Sequence, residues 1–230
     1  MFLVAANVPY VWLVLNFGYD DILREPASRV LETYSDGGAE LVLAWLAFSV
    51  GAMLFVPVVL AFRRLLAEQS VDDDGAAILG VGSAIAQATG LLRWVLVVPS
   101  LAAAYVQAEV GEPMREAIVV TFDIVHRFGG MVVGELLGQL LLAGWTALTV
   151  RALWRTALLP KWLLAGGAAT VPLWLLGLTE LLHDVLPSLP SIEVTPAAFM
   201  LWEAWLAVVA VTMLRGAVRD RRSDAAVARA

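Results

Sequence analysis

Six stretches of this chain are too apolar, over too great a length, to be at home in water. They cover residues 1–17, 41–62, 76–98, 128–150, 162–182 and 197–214. Crossing ~30 Å of hydrocarbon at about 1.5 Å per helical residue takes about 20 residues, and most of the six approach that length. The first is short and carries Asn7, Pro9 and Asn16. The expected fold is all-α, a polytopic membrane helix bundle of six transmembrane helices. Residues 1–217 form a single transmembrane domain and residues 218–230 a cytoplasmic juxtamembrane tail.

Composition agrees and removes several classes of function. Of 230 residues, 60% are hydrophobic and 16% charged, whereas a soluble domain is nearer half apolar with about 25% charged. Mean hydropathy is +0.81. There is no cysteine, so thiolate metal sites, disulfides and cysteine nucleophiles are excluded. A formal charge of -6 argues against nucleic acid, which requires a basic face. Met1 leads straight into "FLVAANVPYVWLVLNF", without the basic region and small-residue cleavage site of a secretory signal.

Lys and Arg set the orientation. With the N-terminus inside, cytoplasmic segments hold Arg63, Arg64, Arg151, Arg155, Lys161, Arg215, Arg219, Arg221, Arg222 and Arg229. Outer segments hold Arg24, Arg29, Arg115 and Arg127. Ten against four places both termini in the cytoplasm, Arg93 being inside a span. Outside, residues 111–127 begin "GEP" and continue as an amphipathic run, expected to form an interfacial helix before the fourth span. Inside, the acids of "VDDDG" stand before a helix and favour its positive N-terminal dipole. The basic tail is expected to fray beside anionic lipid.

Depth orders the ionisable residues. Glu135 lies eight residues into the fourth span, about 12 Å, and Glu203 seven into the sixth, about 10 Å. Arg93 is near the outer end of the third span, and Glu180, His183 and Asp184 are near that of the fifth. Asp123 and His126 precede the fourth. These groups form one layer in the outer half, whereas the inner halves of the spans hold no acid. Ionisable groups inside a bilayer face the bundle interior or a wet cavity, pair with one another and are functional candidates. Trp94, Trp174, Trp202 and Trp205 are near that layer; most are expected in the interfacial belt.

Several chemistries are open to these residues. Asp123 with His126 and Glu180 with His183, each three residues apart, plus Glu135 and Glu203, are the ligand inventory of dinuclear carboxylate bundles. His126 and His183, the only histidines, are also the only candidates for axial haem ligands. Glu135 held by His126 or Arg93 is a candidate proton acceptor, although no nucleophile motif accompanies it. The plainer reading is a structural tie in which Arg93 pairs with Glu135 or Glu180 while Gln87 and Gln139 link neighbouring spans. Gly82, Ala86 and Gly90 are spaced four apart, as are Gly130, Gly134 and Gly138, and such small-residue stripes let helix backbones approach.

"GLLRWVLVVPSLAAAY" followed by "FDIVHRFGGMVVGELLGQLLLAGWTAL" resembles the integral-membrane family named domain of unknown function 4386. Its pattern runs Arg-Trp then Val-Pro, a Phe-x-x-x-His-Arg-Tyr-like stretch, then Gly-Glu-x-Leu-Gly. The matching positions are Arg93, Trp94, Val98, Pro99, Phe122, His126, Arg127, Phe128, Gly134, Glu135, Leu137 and Gly138. Many relatives carry His after the Glu, where this chain has Leu136. The resemblance implies a multi-pass protein of a bacterial plasma membrane, and it singles out Arg93, His126 and Glu135 as the shared polar core.

The function expected is binding. A polar pocket opening outward, built from Arg93, His126, Glu135, Glu180, His183 and Glu203, takes a small ligand, a proton or a metal ion. The alternative is a structural or sensory membrane subunit whose partner is another protein.

Overall fold

The computed structural model describes the backbone of residues 1–107, 109, 111–183 and 185–227, and the side chains of these up to Gly216. Asp184, Arg229 and the side chains of the basic tail lie outside the described residues. Every regular element among the described residues is helical. In chain order these are α1 (Phe2–Phe17), a 3-10 turn (Asp21–Arg24), α2 (Ala27–Met53), α3 (Phe55–Glu68), α4 (Asp74–Leu96) and α5 (Val98–Val106). Then follow α6 (Glu112–Val125), a π-helical stretch (His126–Leu137), α7 (Gly138–Leu153), α8 (Lys161–His183) and α9 (Thr195–Val227).

Among the described residues, five runs are long and apolar enough to cross a membrane: Ala27–Glu68, Asp74–Val106, Glu112–Leu153, Lys161–His183 and Thr195–Gly216. Each contains one of the expected spans. The expected first span is an apolar helix of 16 residues, about 24 Å long and short of the ~30 Å hydrocarbon layer. The segment expected to be a separate interfacial helix is continuous with the fourth span, as one run of 42 residues. That is roughly twice the length a bilayer requires. α9 continues to Val227, so the backbone stays helical where a frayed tail was expected.

Local sequence explains the breaks. Gly18, in the left-handed region at φ 69°, caps α1. Gly38, at φ 55° and ψ -151°, interrupts α2 in a conformation closed to residues with a Cβ. Leu54 separates α2 from α3 and Val97 separates α4 from α5. Pro57 and Pro99 follow these breaks, and each denies a helical hydrogen bond to the carbonyl four residues earlier.

The chain forms two compact units, Met1–Val59 with Gly80–Leu141, and Leu60–Leu79 with Leu142–Ala230. In the first, α1 packs on α2, and α2 on α5 and α6. Gly51 seats the α1 backbone so closely that a Cβ there would lie 2.5 Å from the Ala5 carbonyl oxygen. The core joins Leu13, Phe17, Leu31, Tyr34, Trp45, Trp94 and Phe122. In the second unit α8 packs on α9, burying Trp174, Trp202 and Trp205 with Leu163 and Leu164.

Candidate functional site

The site of the first unit begins as a contact between backbones. A Cβ on Gly90 of α4 would fall 2.6 Å from the Gly134 Cα and 3.0 Å from the Gly129 carbonyl oxygen. Further along the same seam, a Cβ on Gly138 would meet the Gln87 side chain at 2.7 Å, and one on Gly82 would meet Leu141 at 3.3 Å. The two small-residue stripes therefore face each other. Ser83 Oγ donates to the Gly138 carbonyl at 2.8 Å, and Gln87 Nε2 donates to Ser83 Oγ at 2.8 Å. These bonds lock the register of the seam with polar groups whose alternative in hydrocarbon is to stay unpaired.

Opposite α4 the chain leaves α-helical geometry. His126–Leu137, reading "HRFGGMVVGELL", is π-helical over 12 residues. Runs of this hydrogen bonding are rare, usually one turn long, and frequent at functional sites. Gly129, Gly130 and Gly134 lie inside it, and Gly130 makes room for the Arg93 guanidinium. A Cβ at Gly130 would stand 2.6 Å from Arg93 Cζ.

Arg93 is 8% exposed. Its Nη1 donates to the Gly90 carbonyl, and its Nη2 lies 3.4 Å from His126 Nδ1. An arginine can only donate, so Nδ1 is the acceptor and the His126 proton sits on Nε2. The guanidinium carbon lies 5.1 Å from the centroid of the Trp94 ring, within cation–π range. Arg93 Nε, Trp94 Nε1 and Trp45 Nε1 are buried without a hydrogen-bond partner. Each such orphan donor costs about 1–3 kcal/mol.

Aromatic rings wall this cluster. Trp94 stacks on Trp45 at 4.8 Å and 10° and on Tyr34 at 5.7 Å, and Phe17 meets it edge-on at 5.6 Å. Phe122 lies 6.1 Å from Trp94 and stacks on His126 at 5.6 Å. Tyr34 donates its hydroxyl hydrogen to the Trp94 carbonyl, one of the carbonyls that the end of α4 leaves over. Glu135 is partly buried and within electrostatic reach of Arg93, as is Tyr19. Burial pushes the Tyr19 phenol far up from its ordinary value, the charges of Asp20 and Glu135 add to the shift, and the Arg93 guanidinium opposes it.

Arg93, His126 and Glu135 thus gather in the first unit. Asp123 is exposed on α6. Glu180, His183 and Glu203 belong to the second unit. There His183 Nδ1 donates to the Leu189 carbonyl at 2.7 Å, tying the end of α8 to the following loop, Glu180 is partly buried, and Glu203 is 7% exposed on α9. Among the described residues, no three His, Asp or Glu side chains group to hold a metal ion. In His126 the nitrogen lone pair that would ligate one faces Arg93 instead. A groove of about 330 Å³ opens elsewhere in the first unit, lined by Tyr105, Glu112, Arg115, Glu116, Val119 and Val120, none of them an expected site residue.

The expected interfacial tryptophans are not surface residues: Trp94, Trp174, Trp202 and Trp205 are all at most 5% exposed. Sequence reasoning missed Tyr34 and Trp45 as the rings stacked on Trp94, Phe122 as the ring stacked on His126, and Tyr19 as a group within electrostatic reach of Arg93. The available signal was directional, since the alternation of spans assigns the end of α1, the start of α2, the end of α4 and the start of the fourth span to one side.

A family model described as Domain of unknown function (DUF4386) matches residues 1–212. Neither the curated proteins nor the solved structures contain a match to the chain.

Proposed function

The chain belongs to the family described as domain of unknown function (DUF4386), and from that premise we propose a multi-pass protein of a bacterial plasma membrane that binds a small ligand through an anionic or strongly accepting group at Arg93, His126 and Glu135. One observation carries this reading. A buried guanidinium and two buried indoles in contact with one another keep three N–H donors without acceptors. A ligand oxygen supplies what these donors lack, and a charged donor forms the stronger bond to it. The site is built from the first unit alone, and Glu180, His183 and Glu203 take no part in the argument.

In this reading residues 1–217 form one transmembrane domain of six spans, α6 stands at the outer interface, and both termini are cytoplasmic. The ten-to-four bias of Lys and Arg supports it. So does the meeting around Trp94 of Phe17, Trp45 and Phe122, because alternating spans bring those ends to the outer side. A chain without cysteine allows single-cysteine labelling. Glu116→Cys is expected to react with a membrane-impermeant maleimide in intact cells, and Arg155→Cys only after lysis. The reverse pattern refutes the orientation.

The runner-up is a structural or sensory subunit with a protein partner. It is favoured by the way Gly130 receives the guanidinium, as a tie between helices would. Thermal unfolding of the detergent-solubilised protein separates the two. Under the binding reading, inorganic phosphate or acetate raises the melting temperature of the native chain, and Arg93→Gln folds but no longer responds. Under the structural reading neither anion acts. Arg93→Gln and Glu135→Gln then each lower the melting temperature, and the double variant loses less than the sum.

A further inference from the structure

The neighbourhood of Tyr19 carries the polar cluster beyond Arg93. Tyr19 meets Trp45 edge-on at 5.0 Å and Tyr10 at 5.8 Å, while Phe48 lies 6.0 Å from Tyr10 and 6.1 Å from Tyr19. Tyr10 donates its hydroxyl hydrogen to Asp20 Oδ2 at 3.0 Å. Asp20 holds φ 74° and ψ -55°, a γ-turn conformation that is rare and strained for a residue with a Cβ. Strain of this kind persists where the surrounding structure imposes it, and it collects at binding sites. The 3-10 turn that follows is held by the Leu23 N–H bond to the Asp20 carbonyl and by the Ile22 N–H bond to the Gly18 carbonyl. The acid is thereby fixed at the rim of the aromatic wall.

A line of ring contacts then runs from Asp20 and Tyr10 through Tyr19, Trp45 and Trp94 to Arg93. A buried cation with an orphan Nε stands at one end. A partly exposed carboxylate with electron-rich ring faces stands at the other, and Glu135 acts electrostatically on both Tyr19 and Arg93. Guanidinium groups take carboxylate or phosphate oxygens, whereas carboxylates and aromatic rings together take ammonium groups. An anion-only ligand at Arg93 would meet repulsion from Glu135, and a cation-only ligand repulsion from Arg93.

We propose that the ligand is a small zwitterion, with an anionic oxygen group at Arg93 and an ammonium group between Asp20, Glu135 and the rings of Tyr10 and Tyr19. This rests on the reading of Arg93 as an anion-binding group. The shared chemistry has two sources, a free metabolite or the headgroup of a zwitterionic phospholipid.

The test is calorimetric titration of the full-length protein in detergent with phosphoethanolamine and, separately, with inorganic phosphate. Phosphoethanolamine is expected to bind about tenfold tighter, the equivalent of about 1.4 kcal/mol. Asp20→Asn is expected to bring that ratio to about one while phosphate still binds. Tyr10→Phe, which removes only a hydroxyl, stands in if Asp20→Asn fails to fold, and is expected to reduce the ratio. Nanodiscs of phosphatidylethanolamine or phosphatidylglycerol separate the sources. If the source is a headgroup, only phosphatidylethanolamine competes with added phosphoethanolamine; if it is a free metabolite, neither does. Equal affinity for phosphate and phosphoethanolamine in the native chain overturns the zwitterion and leaves the anion site standing. Binding of neither overturns both.

Discussion

Gly130 and Gly167 both clear space beside a neighbouring helix, and what enters that space differs. At Gly130 it is the Arg93 guanidinium. At Gly167 it is the Trp205 indole, whose Cε2 would lie 2.5 Å from an added Cβ. In the second unit Trp205 Nε1 donates to the Leu163 carbonyl at 2.9 Å, and Trp202 Nε1 donates to Thr146 Oγ1 at 3.0 Å. In the first, Arg93 Nε, Trp94 Nε1 and Trp45 Nε1 have no acceptor, a lack that Trp174 Nε1 of α8 shares. A small residue makes room without deciding the use of it. A seam filled by rings with satisfied N–H groups is a finished core, whereas a seam filled by a cation with spare donors has unused binding capacity.

The comparison breaks most readily at the backbone contact. Gly90→Ala drives a methyl against the Gly134 Cα, which cannot rotate away, and overpacking of this kind costs about 3 kcal/mol. Gly167→Ala meets a ring that can tilt only by straining its hydrogen bond, and is expected to cost about 2 kcal/mol. Denaturant unfolding in detergent measures both. A Gly90→Ala variant as stable as the native chain would show that the first seam is not set by backbone contact.

A smaller effect separates the indoles. Trp202→Phe and Trp94→Phe delete the same atoms from two buried sites, but only Trp202 loses a hydrogen bond. Trp202→Phe should be the more costly by about 1 kcal/mol. Equal losses would mean that the Trp94 N–H is satisfied in the membrane.

The smallest effect is one of pH and belongs to Asp73, a buried acid of the second unit just ahead of α4. Burial pushes its carboxyl up from 3.8 to about 6, a bond from Thr149 at 3.5 Å pulls the other way, and Asp72 and Asp74 add to the rise. A carboxyl with a raised folded-state pKa holds its proton more tightly folded than unfolded. The melting temperature should therefore fall by a few degrees as pH rises from about 4 to about 6, then level off, and Asp73→Asn should flatten that slope. A rising melting temperature over the same interval would contradict the burial of this group.

Much of the seam could be read from residue spacing. Gly90 and Gly134 each belong to a stripe of small residues spaced four apart, and that periodicity marks both as faces that allow close approach; that the two stripes meet each other is shown by the structure. Arg93 and His126 were legible because ionisable groups in apolar runs are rare. Their mutual contact was not, since three spans of different depth could equally have offered Arg93 its partner. The tryptophans misled, because amphipathic rings near span ends suit a headgroup belt and a packed core alike. The π-helical stretch left no trace at all, as "HRFGGMVVGELL" is apolar enough for an ordinary span and its altered hydrogen bonding has no period in the sequence.

The sequence alone determined that this chain is helical and fit for a bilayer, and which residues carry charge into the apolar runs. These follow from local hydropathy, which acts within a few residues. Only the tertiary structure decided that Arg93 lies on a glycine floor beside Trp94, that Tyr19 comes within electrostatic reach of it while Tyr10 and Asp20 gather around Tyr19, and that Glu180, His183 and Glu203 fall in another unit. Those outcomes depend on which helix faces meet, and packing selects them through contacts between residues dozens of positions apart.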